Sequence, residues 1–192
     1  MRKQPDFRLI TQYLSIACFA LFSANALAGP NKFDLGIGYY SVNAKTATAS
    51  GSTSGPGLYQ FNFRRAITTK FEFTIGYTVY FSSLISGDSG SGLDIGVNYF
   101  PLTFSGPVEA AGPGASISID EIWRPYLGVT FNQRNFQSVQ TTYTGYGIHI
   151  GIERSLTDTL NLNGMARTIK LSGPRQSTGT ETDFLVGAGF KF

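Results

Sequence analysis

Eight times along the chain, apolar residues alternate with polar or small ones for about 9–11 residues, the length a tilted strand needs to cross a bilayer. Residues 71–81 are the clearest case: Phe71, Phe73, Ile75, Tyr77, Val79 and Phe81 on one side, Glu72, Thr74, Gly76, Thr78 and Tyr80 on the other. A period of two is that of a β-strand with one apolar face. The same pattern begins at Phe33, Tyr59, Leu93, Tyr126, Tyr146, Leu160 and Phe184. In the segment from Leu160 the register stays open past Gly164, because a bulge there inverts every later side chain.

Composition points the same way. Glycines number 23, aromatics make up 14% and charged residues only 14%, against a usual charged share of ~25%. No apolar run reaches the ~18 residues of a membrane helix. The connections alternate in kind. Segments 44–57, 82–92, 133–142 and 172–181 are rich in Gly, Ser, Thr or Gln, and 44–57 is expected to be mobile. Segments 65–70 and 155–159 are tight. Long loops at one end and short turns at the other are the pattern of an outer-membrane barrel. Residues 101–122 break it and read as an irregular excursion on the periplasmic side, with a short strand at 116–119.

The first 28 residues read as a signal peptide. Arg2, Lys3 and Arg8 form a basic start, Leu9 to Phe22 an apolar stretch, and Ala26 and Ala28 the small-x-small cleavage motif. Cleavage is expected after Ala28, with Ala26 as the alternative. Its removal takes the only cysteine, Cys18, and leaves 12 bases against 11 acids. The sequence pI near 9.0 is therefore partly the signal's, and no nucleic-acid partner is implied. The mature chain, 29–192, has no disulfide to draw on.

Volume decides which face points outward. An eight-stranded barrel has an interior only just wide enough for side chains to fill. The Gly, Thr and Asn face fits that space and the Phe, Tyr, Leu and Ile face does not. An exterior that apolar requires hydrocarbon, and in hydrocarbon a sheet must close to pair its backbone. The expected fold is all-β, an eight-stranded antiparallel up-and-down transmembrane barrel. Aromatic girdles are expected from Phe33, Phe71, Phe81, Tyr99, Trp123 and Phe192.

The sequence ends on Phe184, Val186, Ala188, Phe190 and Phe192 at every second position. This resembles the C-terminal insertion signal of bacterial outer-membrane proteins, and residues 31–192 are similar in architecture to the eight-stranded barrel family that includes OmpX and the membrane domain of OmpA. The resemblance implies a Gram-negative-type outer membrane, contact with its lipid and lipopolysaccharide, recognition of the last strand by the barrel-assembly machinery, and a monomer.

Six inward charges gather near the short turns: Asp34, Arg64, Glu72, Arg124, Glu153 and Lys191. A hairpin register with Phe63 opposite Phe73 places Arg64 opposite Glu72. The six are expected to pair as a plug, since ion selectivity takes rings of one sign; the alternative is that they are hydrated at the mouth. No cofactor or metal constellation is present in the sequence. Lipid A deacylases of PagL type resemble this architecture and use His-x-Ser. Here the only histidine, His149, is followed two residues later by Gly151, so a structural hydrogen bond is expected of it. The expected role is non-enzymatic, structural or surface-interacting. A narrow channel for small or apolar solutes is the first alternative, favoured by the lumenal glycines, and a lipid-modifying enzyme the second.

Overall fold

The computed structural model describes residues 31–45, 50–81, 89–102, 104–112, 115–136 and 141–192; the expected signal segment, with Ala26 and Ala28, lies outside them. There are nine strands: β1 (Asn31–Lys45), β2 (Ser50–Ala66), β3 (Phe71–Phe81), β4 (Ser89–Tyr99), β5 (Phe104–Gly112), β6 (Ala115–Phe136), β7 (Thr141–Ser155), β8 (Leu160–Ser172) and β9 (Thr178–Lys191). Eight of them form a closed up-and-down barrel. β4 pairs with β6 as well as β3, and β9 pairs with β1 as well as β8. The seam is held to its end: Asn31 N–H donates to Phe192 O at 3.0 Å and Phe192 N–H to Asn31 O at 2.9 Å.

Alternation sets the two faces. Ile148 and Ile150 on β7 are 69% and 66% exposed, whereas His149 between them is 5% exposed and turned into the lumen. The outer surface carries Leu35, Ile37, Phe61, Tyr77, Val129, Phe184 and Val186 around the wall. Aromatic pairs mark both ends of this belt, Phe71–Tyr99 at 5.0 Å near the tight turns and Tyr59–Phe81 at 5.8 Å near the other rim.

The strands are longer than the sequence pattern suggests. Much of the expected loop 44–57 is ladder, with Ser41↔Ser54 to Lys45↔Ser50 paired. Polar residues on both faces suit strands that continue past an apolar belt into water. β8 pairs with β7 and β9 without a shift, so Met165, Arg167, Ile169 and Leu171 follow Asn161 and Asn163 on the lumenal side. The bulge lies instead on β2: Gly38 pairs with Leu58 and Tyr40 with Gly55, leaving Pro56 and Gly57 opposite Tyr39 alone.

The second hairpin is shifted two residues from the expected register. Phe63 faces Ile75, Arg64 faces Thr74 and Ala66 faces Glu72. The turn explains the shift: Thr68 Oγ1 accepts from Lys70 N–H at 3.2 Å and Phe71 N–H at 3.1 Å. Thr157 repeats the device between β7 and β8, accepting from Thr159 and Leu160 N–H. A threonine hydroxyl competing for backbone donors of its own turn fixes where the ladder restarts.

Residues 101–122, expected to be irregular, contribute strand for most of their length. β5 pairs with the first part of β6, from Phe104↔Trp123 to Gly112↔Ala115, as a hairpin that continues past the barrel's ladder. The last β4–β6 pair is Tyr99↔Leu127. Pro101 and Pro125 sit at the junction, and neither can donate a ladder hydrogen bond.

Between β8 and β9, Ser177 N–H donates to Pro174 O at 3.1 Å. The two central residues, Arg175 and Gln176, have φ of 55° and 61°, which makes this a type I′ turn without its favoured residues. Replacing the pair by Asn-Gly (Arg175→Asn with Gln176→Gly) is expected to stabilise the barrel by about 1 kcal/mol. The check is the midpoint of urea unfolding in detergent, which should rise.

Candidate functional site

The lumen is where the polar chemistry collects, because the pleat sends every second residue into a narrow interior. Glycine makes the crossing side chains possible. A Cβ at Gly128 would collide with the His149 imidazole, and one at Gly151 with the Tyr126 ring. At these two positions the glycine gives room to a neighbouring side chain.

Near the tight turns lies a first ionic layer centred on Arg64, which is 1% exposed. Its Nε donates to Asp34, its Nη1 to Glu72 Oε2 at 3.2 Å and its Nη2 to Glu153 Oε2 at 2.6 Å. Lys32 Nζ bridges the same two glutamates, at 2.7 Å to Glu72 and 2.9 Å to Glu153. Arg124 approaches both at 3.5 Å, with its guanidinium 4.0 Å above the Phe100 ring. Phe100 is itself 2% exposed and tied to the β2–β3 turn, donating its N–H to Lys70 O at 2.8 Å. An aromatic ring thus underlies the layer.

The structure brings Asp34, Arg64, Glu72, Arg124 and Glu153 together. Lys191 stands beside them but donates to the Ser155 hydroxyl at 2.7 Å. Lys32, not among the expected six, supplies the third cation. It was hidden because it precedes the first apolar residue of its strand, although its parity with Asp34 already placed it inside.

A second ionic layer, which the expected site lacks altogether, lies toward the long-loop rim. Arg134 Nη1 donates to Asp94 Oδ1 at 2.6 Å, and its Nε and Nη2 grip Glu181 at 3.0 Å each. Arg167 reaches Asp94 at 2.9 Å and Asp183 at 2.6 Å. The Tyr80 hydroxyl donates to Glu181 Oε1 at 2.6 Å. Arg134, Asn132, Glu181 and Asp183 are 0% exposed.

Neutral groups span the space between. Thr78 donates to Asp94 Oδ2 at 2.6 Å, Asn132 to Asp94 Oδ1 at 2.6 Å and the Tyr126 hydroxyl to Asn163 Oδ1 at 2.8 Å. His149 Nε2 lies 2.7 Å from Asn98 Oδ1, and its Nδ1 has no partner among the described residues. The gap lined by Gln60, Asp94, Tyr126, His149 and Arg167 measures about 20 Å³, the room of a single water molecule.

No protein-family model matches the chain, and no curated protein matches it by sequence. Among solved structures it is similar to neisserial surface protein A, at 13% identity over 86% of this chain and 99% of that one, with a TM-score of 0.49. The N-terminal β-barrel domain of Pseudomonas aeruginosa OprF gives 16%, 84%, 97% and 0.46 in the same order. The outer membrane protein OprG of Pseudomonas aeruginosa gives 14%, 84%, 96% and 0.45. At such identities and scores no function carries across from them.

Arg64 is the group on which the first layer turns. Arg64→Met would leave Asp34, Glu72 and Glu153 to share Lys32 and Arg124, and the expected cost is ~3–5 kcal/mol, that of a buried charge cluster losing its partner. Urea unfolding of the refolded variant, followed by the heat-dependent gel shift, checks this. An unchanged midpoint would mean the three carboxylates are solvated.

Proposed function

We propose that the chain is a non-enzymatic outer-membrane β-barrel, closed through its lumen, with a structural or surface-interaction role. The observation that carries the reading is the pair of ionic layers set in series across a narrow lumen, each spanning strands from opposite sides of the barrel. The first joins β1, β2, β3, β6 and β7, and the second β3, β4, β6, β8 and β9. Fixed groups engaged with one another have little capacity left for a passing ion; three cations face three carboxylates in the first layer and two guanidiniums face three carboxylates in the second, so neither is a ring of one sign. The exposed apolar belt supports a bilayer as the surrounding medium, with lipid and lipopolysaccharide as its neighbours. The chemistry of acyl hydrolysis needs a base in reach of a nucleophile and a lipid ester. His149 faces the lumen, against Asn98, which supports a structural role for it.

Two layers change what it takes to open the barrel. The double variant Arg64→Ala/Glu72→Ala is expected to stay silent in a planar bilayer, since the Arg134–Arg167 layer remains. Adding Arg134→Ala and Glu181→Ala is expected to produce steady openings. Openings in the unaltered barrel, with folding confirmed by gel shift, would overturn the closed-lumen reading and move the protein to the transport class.

The C-terminal strand, with Phe184, Val186, Phe190 and Phe192 on its outer face, is proposed as the segment read by the assembly machinery. Deleting Phe192 also removes both hydrogen bonds to Asn31 at the seam. Lower amounts of folded barrel in the outer-membrane fraction are expected. Undiminished amounts would count against that role for the residue.

A further inference from the structure

Above the second ionic layer, at the long-loop end, the lumen opens into a cup of about 340 Å³, at the lower end of the range for small-molecule sites. Its walls include Val42, Phe136 and Leu171 with the rings of Tyr40, Tyr80 and Tyr143. The rings form a continuous chain, with centroids 5.3 Å apart for Tyr40–Tyr80, 5.9 Å for Tyr80–Phe136 and 6.1 Å for Phe136–Tyr143. Ser52 and Ser89 stand among the lining residues, each within two residues of the start of its strand and so near the rim.

We propose that this cup binds a small, uncharged molecule with a ring, its flat body against the aromatic chain and its polar end toward the rim hydroxyls. The floor argues for the absence of charge. Glu181 is occupied by the Tyr80 hydroxyl and by Arg134, and Arg134 is shared between Glu181 and Asp94. Neither offers a free partner to an ionic ligand, and an ion entering an apolar cup loses its hydration without replacement. A neutral ring loses little and gains offset or edge contacts. The cup is lined by apolar and aromatic side chains with a few hydroxyls, the usual make-up of such a site. This inference does not need the lumen to be closed below, only that the cup be open above.

The test uses the full mature barrel in lipid nanodiscs, with 2-naphthol as the neutral probe, 2-naphthoate as the anion and 2-naphthylmethylammonium as the cation. Empty nanodiscs correct for partition into lipid. Isothermal titration is expected to show saturable one-to-one binding of 2-naphthol and none of either ion. Gly179→Leu fills the cup: Gly179 lines it, and a Cβ there meets its neighbours only at ordinary distances of 3.4–3.9 Å. That variant should fold normally by gel shift and lose at least about tenfold in affinity, as expected when methylenes occupy a pocket. Phe136→Ala, which removes the middle of the ring chain, should weaken binding as well. No saturable binding, or equal affinity in wild type and Gly179→Leu, would overturn the proposal, and tighter binding of either ion would overturn its chemistry. Conductance of the same preparation reports on the closed lumen separately, so the two readings fail independently.

Discussion

Closure of the sheet between β1 and β9 is the constraint from which the rest of the molecule follows. A strand edge left open in hydrocarbon would carry unpaired N–H and C=O groups at several kcal/mol each. The pairing from Lys32↔Lys191 to Lys45↔Thr178 removes both edges at once. With eight strands the circle is small, so the inward half of every strand must fit a space little wider than the side chains themselves. The outward half meets no such limit. Bulk and aromaticity therefore go outside, and small or hydrogen-bonding residues go inside.

That division explains why the charges are where they are. In so narrow a space a lysine or arginine on one strand reaches the carboxylates of strands across the barrel, as Lys32 of β1 reaches Glu72 of β3 and Glu153 of β7. Such clusters need not add net stability over a packed apolar lumen. What they do impose is register. Sliding one strand by two residues would carry its charge away from partners on several other strands and leave both sides buried without compensation. The threonine-capped turns at Thr68 and Thr157 set the same registers from the chain's local side, so local and long-range preferences agree.

Much of this was legible in the sequence. Strict alternation over bilayer-length segments told which face is apolar, and volume told that it faces out; Ile148, His149 and Ile150 follow that rule residue by residue. The first ionic layer was largely visible because its members flank the tight turns. The register of the second hairpin was not, since pairing Arg64 directly with Glu72 is one of two ways to bring them together, and the Thr68 turn selects the diagonal one. The second layer was missed for a different reason. Strands were taken to end where the apolar face ends, whereas β6 and β9 continue beyond it. Parity alone, extended from Asn132 to Arg134 and from Leu185 to Asp183 and Glu181, would have placed all three inside. Alternation with Leu93 and Ile95 puts Asp94 on the inward face, but its partners come from strands far along the chain, Arg134 on β6 and Arg167 on β8, which no local pattern announces.

The two ends of the lumen differ in a way that alternation does not require. Toward the tight turns, the Arg124 guanidinium lies over the Phe100 ring, so the ionic layer there has an aromatic base. Toward the long loops, the rings of Tyr40, Tyr80 and Tyr143 stand above the ionic layer and enclose a cup. The same residue types thus pack against an ionic layer at one end and line a cup at the other. The difference arises from where the strands stop: Pro101 and Pro125 interrupt the β4–β6 ladder at the first end, while β1, β2 and β9 extend past the second layer as far as Lys45, Ser50 and Thr178. Wall that continues beyond the second ionic layer has nothing left to pack against at its centre, which leaves that end concave.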